Sequence, residues 1–239
     1  MVDINCDMGE GFGVWRITDD AAIMTHIDTA NVACGFHASD PVLMDATVRM
    51  GAKAGINLGA HPGLPDLWGF GRRAMTLDAD EVGALVRYQV GALAAFLDAH
   101  EATLHHVKPH GALYGMAARD EQIATAIAEV AGQYDVPVFG MSNTAQKTAA
   151  DTAGVAFVAE FFADLDYDDD GGLIITRTHQ ELDLDDVERK VRQALTDGTV
   201  TSVGGETLPV DVETICFHSD TPNALALAET VERAARAVD

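Results

Sequence analysis

Residues 29–55 read TANVACGFHASDPVLMDATVRMGAKAG, and this stretch holds the unit from which the fold is predicted. The apolar run 29–34 has the length of a buried strand. Asn31 lies inside the run, and His37 and Asp40 lie just beyond it. Asp40 is placed as a helix N-cap, with Pro41 at the first helical position. Gly55 then stops the helix predicted over 41–54. The same order of strand, polar connector and helix recurs along the chain. Further strand-like runs lie at 2–6, 56–60, 103–107, 136–141, 155–161 and 214–217, with an extra arm at 173–176. Helical patterns cover 78–100, 120–134, 144–152, 184–197 and 221 to about 237. Such alternation predicts an α/β protein with a parallel sheet. Seven strands, each followed by a helix or long crossover, predict a closed or nearly closed barrel. A doubly wound open sheet is the alternative. No linker, repeat or low-complexity tract divides the chain, so 1–239 reads as a single domain.

Charge narrows the function. The chain has 38 acidic against 15 basic residues, a formal net charge of −23, and only four of the basic residues are lysine. No concentration of positive charge exists for nucleic acid or for an anionic membrane surface. Self-repulsion on this scale is tolerable where salt screens it, which predicts a cytoplasm of high ionic strength. Stability should therefore rise with KCl; equal melting temperatures at about 0.1 M and several molar KCl would contradict this. Cys6, Cys34 and Cys216 are widely spaced with no CxxC pair, as expected of reduced cytoplasmic thiols. The start, MVDINCDMGEG, lacks the basic and apolar regions of a signal peptide, and no run of about 18 apolar residues predicts a membrane span.

Polar residues gather where the strand-like runs end: Asn5, Asp7 and Glu10; Asn31, His37 and Asp40; His61, Asp66, Arg72 and Arg73; His105, His106, Lys108 and His110; Ser142 and Asn143; Glu160 and Asp164; His218 and Asp220. In parallel α/β folds the carboxyl ends of the strands converge on the active site. His26, His100 and His179 read as surface or capping residues. One of His105 and His106 should face the helices, since strand neighbours point opposite ways. The histidines beyond strand ends, with the carboxylates, suit either a divalent metal or a metal-free acid–base and phosphate site. No HExxH spacing decides between them. GEGFG, at 9–13, lacks the Walker residues, and its glycines read as a tight turn at a crowded barrel mouth, as do Gly204 and Gly205. GFGRR, at 69–73, offers flexible backbone beside two guanidiniums, which suits a phosphate or carboxylate; a surface ion pair for one arginine is the alternative.

These segments resemble the LamB/YcsF family, the A subunits of bacterial-type 5-oxoprolinase. The matching stretches are DINCDMGEGFG (3–13), NVACGFHASDP (31–41), GAHPGLPDLWGFGRR (59–73), VKPHGALY (107–114), EFFAD (160–164) and CFHSDTPNAL (216–225), in order along essentially the whole chain. The resemblance implies a distorted seven-stranded (β/α) barrel, similar to the glycoside hydrolase and deacetylase barrels. It implies cleavage of 5-oxo-L-proline to L-glutamate with ATP hydrolysis, with Mg²⁺ expected, in a complex with B and C subunits. The chain departs from the family pattern at Leu165, Gly115 and Ser219.

On that basis Asp7, Glu10, His61, Lys108, His110 and Glu160 are expected to be catalytic. Asn5, Asn31, His37, Arg72, Arg73, His218 and Asp220 are expected to bind substrate or phosphate. Lys108, at the barrel mouth, would meet developing negative charge. Asp7, His61 and His110 are the candidates for metal, should one be held. Two other readings remain: a metal-dependent deacetylase or amidohydrolase acting on a small carbohydrate or amide, and a non-catalytic subunit that binds a small acid. A homo-oligomer is also allowed.

Overall fold

The computed structural model describes residues 1–176 and 180–238. His179 lies outside them. In chain order the elements are β1 (Asp3–Met8), α1 (Asp20–Ile23), β2 (Thr29–Ala33), α2 (Pro41–Ala54), β3 (Asn57–His61), α3 (Ala79–Ala99), β4 (Leu104–Val107), α4 (Gly111–Arg119), α5 (Glu121–Gln133), β5 (Val138–Gly140), α6 (Ala145–Ala153) and β6 (Phe157–Phe162). They continue with β7 (Asp166–Tyr167), β8 (Leu173–Ile174), α7 (Leu184–Asp197), β9 (Thr199–Thr201), β10 (Thr207–Pro209), β11 (Thr214–Phe217) and α8 (Ala224–Arg236).

Seven strands close into a parallel barrel in the order β1-β2-β3-β4-β5-β6-β11, with β11 returning to β1. The closed barrel therefore holds and the open sheet does not. Local chemistry explains the elements around it. Asp40 accepts from the amides of Val42 and Leu43, and Gly55 closes α2 in the left-handed region at φ 73°. Asp78 and Glu81 form a reciprocal capping box at the start of α3. Helix α3 is long and apolar, but Val82, Val86, Val90, Leu93 and Leu97 are buried in the core.

Helices α1 and α4, the short strand β7 and the hairpin β9–β10 were not foreseen. Helix α4 begins inside the KPHG motif, so its first residues were read as part of the polar cluster. The hairpin β9–β10 was missed because its arms have three residues each. Gly204 and Gly205 belong to that hairpin's turn, where Gly205 donates to the Ser202 carbonyl, rather than to the barrel mouth. The expected extra arm is β8, antiparallel to β7.

Strand alternation sends Ile4, Cys6 and Met8 to the helix layer and Asn5 and Asp7 into the lumen, so the barrel interior is polar. Thr214 Oγ1 donates to Asp3, and Asn5 Nδ2 donates to Thr214 Oγ1 at 2.8 Å. Asn31 Nδ2 donates to Asn5 Oδ1 and Asp7 Oδ1, both at 2.8 Å. This column fixes the floor of the site above it. All three cysteines are buried and free.

Candidate active site

Lys108 follows β4 and points inward. It is 1% exposed, and its Nζ lies 2.8 Å from Glu160 Oε1, 3.2 Å from Asp7 Oδ1 and 2.9 Å from Cys216 Sγ. It is thus deep in the lumen, not at the mouth as expected, because it shares strand parity with His106 and the inward carboxylates reach it. Burial alone would push the ammonium down, but Asp7, Cys216 and Glu160 hold its pKa well above the usual value. Burial would likewise raise Asp7, yet His61 and Lys108 keep it well below the ordinary carboxylate range.

Two carbonyls set the state of the histidines. His61 Nδ1 lies 2.8 Å from the Lys108 carbonyl oxygen, and His110 Nε2 lies 2.7 Å from that of Phe70. A carbonyl only accepts, so each of those nitrogens carries the proton. With that tautomer, a His61 ring carrying no second proton turns a bare lone pair toward His110: His61 Nε2 and His110 Nδ1 are 3.0 Å apart. Asp7 Oδ2, a third acceptor, stands 3.0 Å from His61 Nε2. Behind them Glu10 Oε1 is 3.5 Å from His110 Nδ1 and 2.9 Å from His37 Nε2. Acceptors converging without a proton repel unless a cation lies among them. Glu10, His37, His61 and His110 each offer a ligand atom within 4.8 Å of the others, and all four are buried.

The pKa directions suit such a site. Burial, then His61, holds His37 well below the ordinary imidazole value; burial, then His37 and His61, does the same to His110. Burial, then Asp7 and Asp220, pushes Glu10 well up. Close packing needs two glycines here. An added Cβ at Gly71, where φ is 65°, would lie 2.7 Å from His37 Cβ, and one at Gly59 would lie 2.0 Å from the His106 ring.

A narrow cavity opens over this set. Asp7, His61, Lys108, His110, Arg72 and His218 supply its polar wall; Tyr114, Phe162, Leu165, Leu173 and Ile175 supply the opposite one. Arg72 is nearly buried, 2.8 Å from Asp220 and with its guanidinium 5.0 Å from the Phe70 ring centroid. His218 accompanies Asp164: its Nδ1 is 3.0 Å from Asp164 Oδ2, while its Nε2 faces Asp7 Oδ2 at 3.6 Å. Burial opposes the charge, but Asp164 outweighs it and raises the His218 pKa.

Arg73 is a correction. It turns out of the cavity to grip Asp66, with half its side chain exposed, so it clips its own loop. Ser142 and Asn143 line a second cavity, which Glu160 also borders. Glu10, His37, Asn5 and Asn31 support the cavity from behind. His26 pairs with Glu232 and His100 with Asp45, in keeping with a surface role.

Two contributors were missed, Asp164 as the partner of His218, and His106. His106 is fully buried, stacked at 3.9 Å on Phe139, with Nε2 2.7 Å from Asn31 Oδ1. Asn31 gives both amide protons to Asn5 and Asp7, so its oxygen must accept from His106. That bond holds the amide in the orientation that occupies Asp7 Oδ1 and leaves Oδ2 to His61. A signal existed: His106 and Lys108 are two apart on one strand, so both face the same side. His106→Leu should weaken any function of Asp7 about 10- to 100-fold, as loss of an outer partner does. A comparison of divalent-cation affinity and kcat in His106→Leu and His106→Gln would check it, with partial rescue expected from Gln.

Known proteins carry the same plan. The LamB/YcsF family model matches residues 2–239. The lactam utilization protein lamB of Emericella nidulans is 47% identical over 96% of this chain and 92% of its own. The 5-oxoprolinase A subunit of Bacillus licheniformis is 44% identical over 100% and 96%. The crystal structure of a lactam utilization protein from Thermus thermophilus superposes with a TM-score of 0.88 at 38% identity, covering 99% of this chain and 96% of that one. Likeness of this extent, running through every strand that frames the cavity, makes this chain a member of the LamB/YcsF family.

Proposed function

We propose that this chain is the A subunit of an ATP-dependent 5-oxoprolinase, opening 5-oxo-L-proline to L-glutamate in the cytoplasm together with B and C subunits. The whole chain serves as one catalytic domain. The observation that carries the reading is the cavity itself, in which a cluster of acceptors, a buried ammonium and an imidazole oriented by Asp164 face an apolar wall. Family membership and the names of full-length relatives support the substrate.

Lactam hydrolysis requires stabilisation of charge on the carbonyl oxygen, proton delivery to the leaving nitrogen and a grip on the substrate carboxylate. Lys108 faces the first task. Asp164 orients His218 and favours its charged form, in which Nε2 holds the proton for the leaving nitrogen, the usual acid–orienter arrangement. Arg72 is the cation for the substrate carboxylate, and Phe162, Leu165 and Tyr114 pack the ring methylenes. Asp7, too acidic to be an efficient base, suits a cation instead, with His61 and His110. Glu10, raised by burial, is the better proton reservoir, 2.9 Å from His37 Nε2. A divalent metal bound among these donors would polarise the carbonyl or a water. A triphosphate finds less: Lys108 and Arg72 serve the lactam, and Arg73 is engaged by Asp66. ATP and its Mg²⁺ therefore enter through the complete assembly.

The isolated chain should show little ATP-dependent hydrolysis of 5-oxoproline, and adding B and C subunits should restore it. Robust turnover by the rigorously purified chain would contradict the partnership. A second reading, metal-dependent amide hydrolysis, is favoured by the acceptor cluster. Stoichiometric metal with ATP-independent amide cleavage by the isolated chain would select it.

A further inference from the structure

Tyr114 lies in the first turn of α4, four residues after His110, and both line the active-site cavity. On the cavity's apolar wall, beside Phe162, Leu165, Leu173 and Ile175, the Tyr114 hydroxyl is the one polar side-chain group. The residue is 3% exposed, and its buried hydroxyl has no hydrogen-bond partner. Among the described residues lining the cavity, no other side chain holds a buried polar atom in this state. Burying a hydroxyl without a partner forfeits the bonds it made to water. Such an atom in a native fold calls for an explanation, and at a cavity wall a bound ligand supplies one.

Two neighbours fix where the hydroxyl sits. The Tyr114 ring meets the Phe162 ring edge to face at a centroid distance of 5.5 Å, and Lys108 Nζ is 5.4 Å from the centre of the same ring. Glu160 stands beside both. Its Oε1 is 2.8 Å from Lys108 Nζ, and after burial its charge is the largest cause that raises the Tyr114 pKa. Tyr114 Oη and Glu160 Oε2 nevertheless both lack a partner in hydrogen-bond geometry, so Glu160 does not use up the hydroxyl proton. With its pKa held well above the ordinary value, the group keeps that proton and acts as a donor, not as a base. Asp7 and Glu160 both flank Lys108 in this corner. A substrate carboxylate brought here would meet two negative groups; a neutral lactam oxygen would not.

We propose that the Tyr114 hydroxyl donates a hydrogen bond to the lactam carbonyl oxygen, beside Lys108, and that this bond strengthens as negative charge gathers on that oxygen. The inference rests on the reading of this cavity as the lactam site. In the addition step a water oxygen bonds to the carbonyl carbon, the π pair of the C=O bond moves onto the oxygen, and Tyr114 keeps its proton throughout. A neutral donor suits the task. The charge on Lys108 is already divided between two carboxylates, and a hydroxyl adds a fixed dipole that needs no counter-ion.

Tyr114→Phe in the full chain, reconstituted with B and C subunits, is the test. Its kcat for 5-oxoproline should fall about 30-fold, as expected for a hydrogen bond to an oxygen that becomes charged. Its melting temperature should stay level or rise, because the lost hydroxyl had no partner. The direct readout is the infrared carbonyl band of 5-oxoproline carrying ¹³C at the lactam carbon, bound to the assembly without ATP. A donor lowers that band, so it should lie at higher wavenumber in Tyr114→Phe than in the wild type. Full kcat in the variant, or a band that does not move, overturns the donor role, while turnover by the wild-type assembly leaves the functional reading standing. A lower melting temperature with an unmoved band assigns the hydroxyl to Glu160 and overturns the inference likewise. Where stability and kcat fall together, the band decides. A wild-type assembly that neither binds nor opens 5-oxoproline overturns this inference and the functional reading together.

Discussion

Methionine in place of Lys108 is expected to lower kcat of the reconstituted B- and C-containing enzyme by at least about 100-fold, close to 2.7 kcal/mol of transition-state stabilisation. Methionine keeps most of the volume and removes the charge. Asp7 and Glu160 would then share a closed lumen without their common cation. Breaking a buried pair in this way typically costs about 3–5 kcal/mol of stability. The same residue is thus both a structural ion-pair partner and the ammonium that lines the cavity, and a single variant confounds the two. Adding Glu160→Gln separates them, since the double variant removes one uncompensated carboxylate. Its melting temperature should recover toward wild type while kcat stays low. Recovery of kcat together with stability would assign Lys108 to charge balance alone. Circular dichroism and binding of the companions must be followed in parallel, so that rates are compared only among folded, assembled enzymes.

The second large effect concerns the acceptor cluster. The wild-type chain should take up one transition-metal ion per chain, measured by calorimetry with Zn²⁺ or by the visible spectrum of added Co²⁺, because imidazole-rich donor sets favour such ions. At a free concentration of 100 times Kd, binding should stabilise the fold by about 2.7 kcal/mol. Asp7→Asn, His61→Ala and His110→Ala should each weaken binding by more than about 100-fold, a larger loss than the tenfold to hundredfold expected for an outer partner. The pH dependence has a definite sign. Protons compete with a metal for ring nitrogens. Burial, and then the neighbouring histidines, hold His37 and His110 well below the ordinary value of 6.5. Affinity should therefore change little as pH falls to about 6.5 and decline only below it, as the lowered values are crossed. A chain that binds none of Mn²⁺, Co²⁺, Ni²⁺ or Zn²⁺ would leave a shared proton as the cation between His61 and His110, and the metal would be withdrawn.

Much of this molecule was legible in the order of its residues. Run length and capping chemistry are local, so Asp40, Pro41 and Gly55 mark α2, and Asp78 with Glu81 marks the start of α3, without reference to anything distant. Strand-end position is equally local, which is why Asp7, His61, Lys108, Glu160 and His218 were expected around one cavity; the first three and His218 line it, while Glu160 borders the second cavity and reaches the site through Lys108. The β9–β10 arms escaped for the same reason in reverse, being too brief for periodicity to show, and α4 was hidden by the KPHG motif in which it begins.

What remained was decided by contacts between residues far apart in the chain. Arg72 and Arg73 are neighbours with the same chemistry, and only the fold of residues 62–73 sends one toward Asp220 and the other to Asp66. The tautomers of His61 and His110 depend on the carbonyls of Lys108 and Phe70, which lie 47 and 40 positions away. Lys108 meets Asp7 across 101 positions, and His218 finds Asp164 across 54. Charge state follows from desolvation and from neighbours within a few ångströms, and neither exists until the barrel closes. Residue types and their strand ends are therefore properties of the sequence. Which acceptors lack a proton, which cation is buried and which arginine faces the cavity are properties of the closed ring, because only closure brings seven separate strand ends within bonding distance.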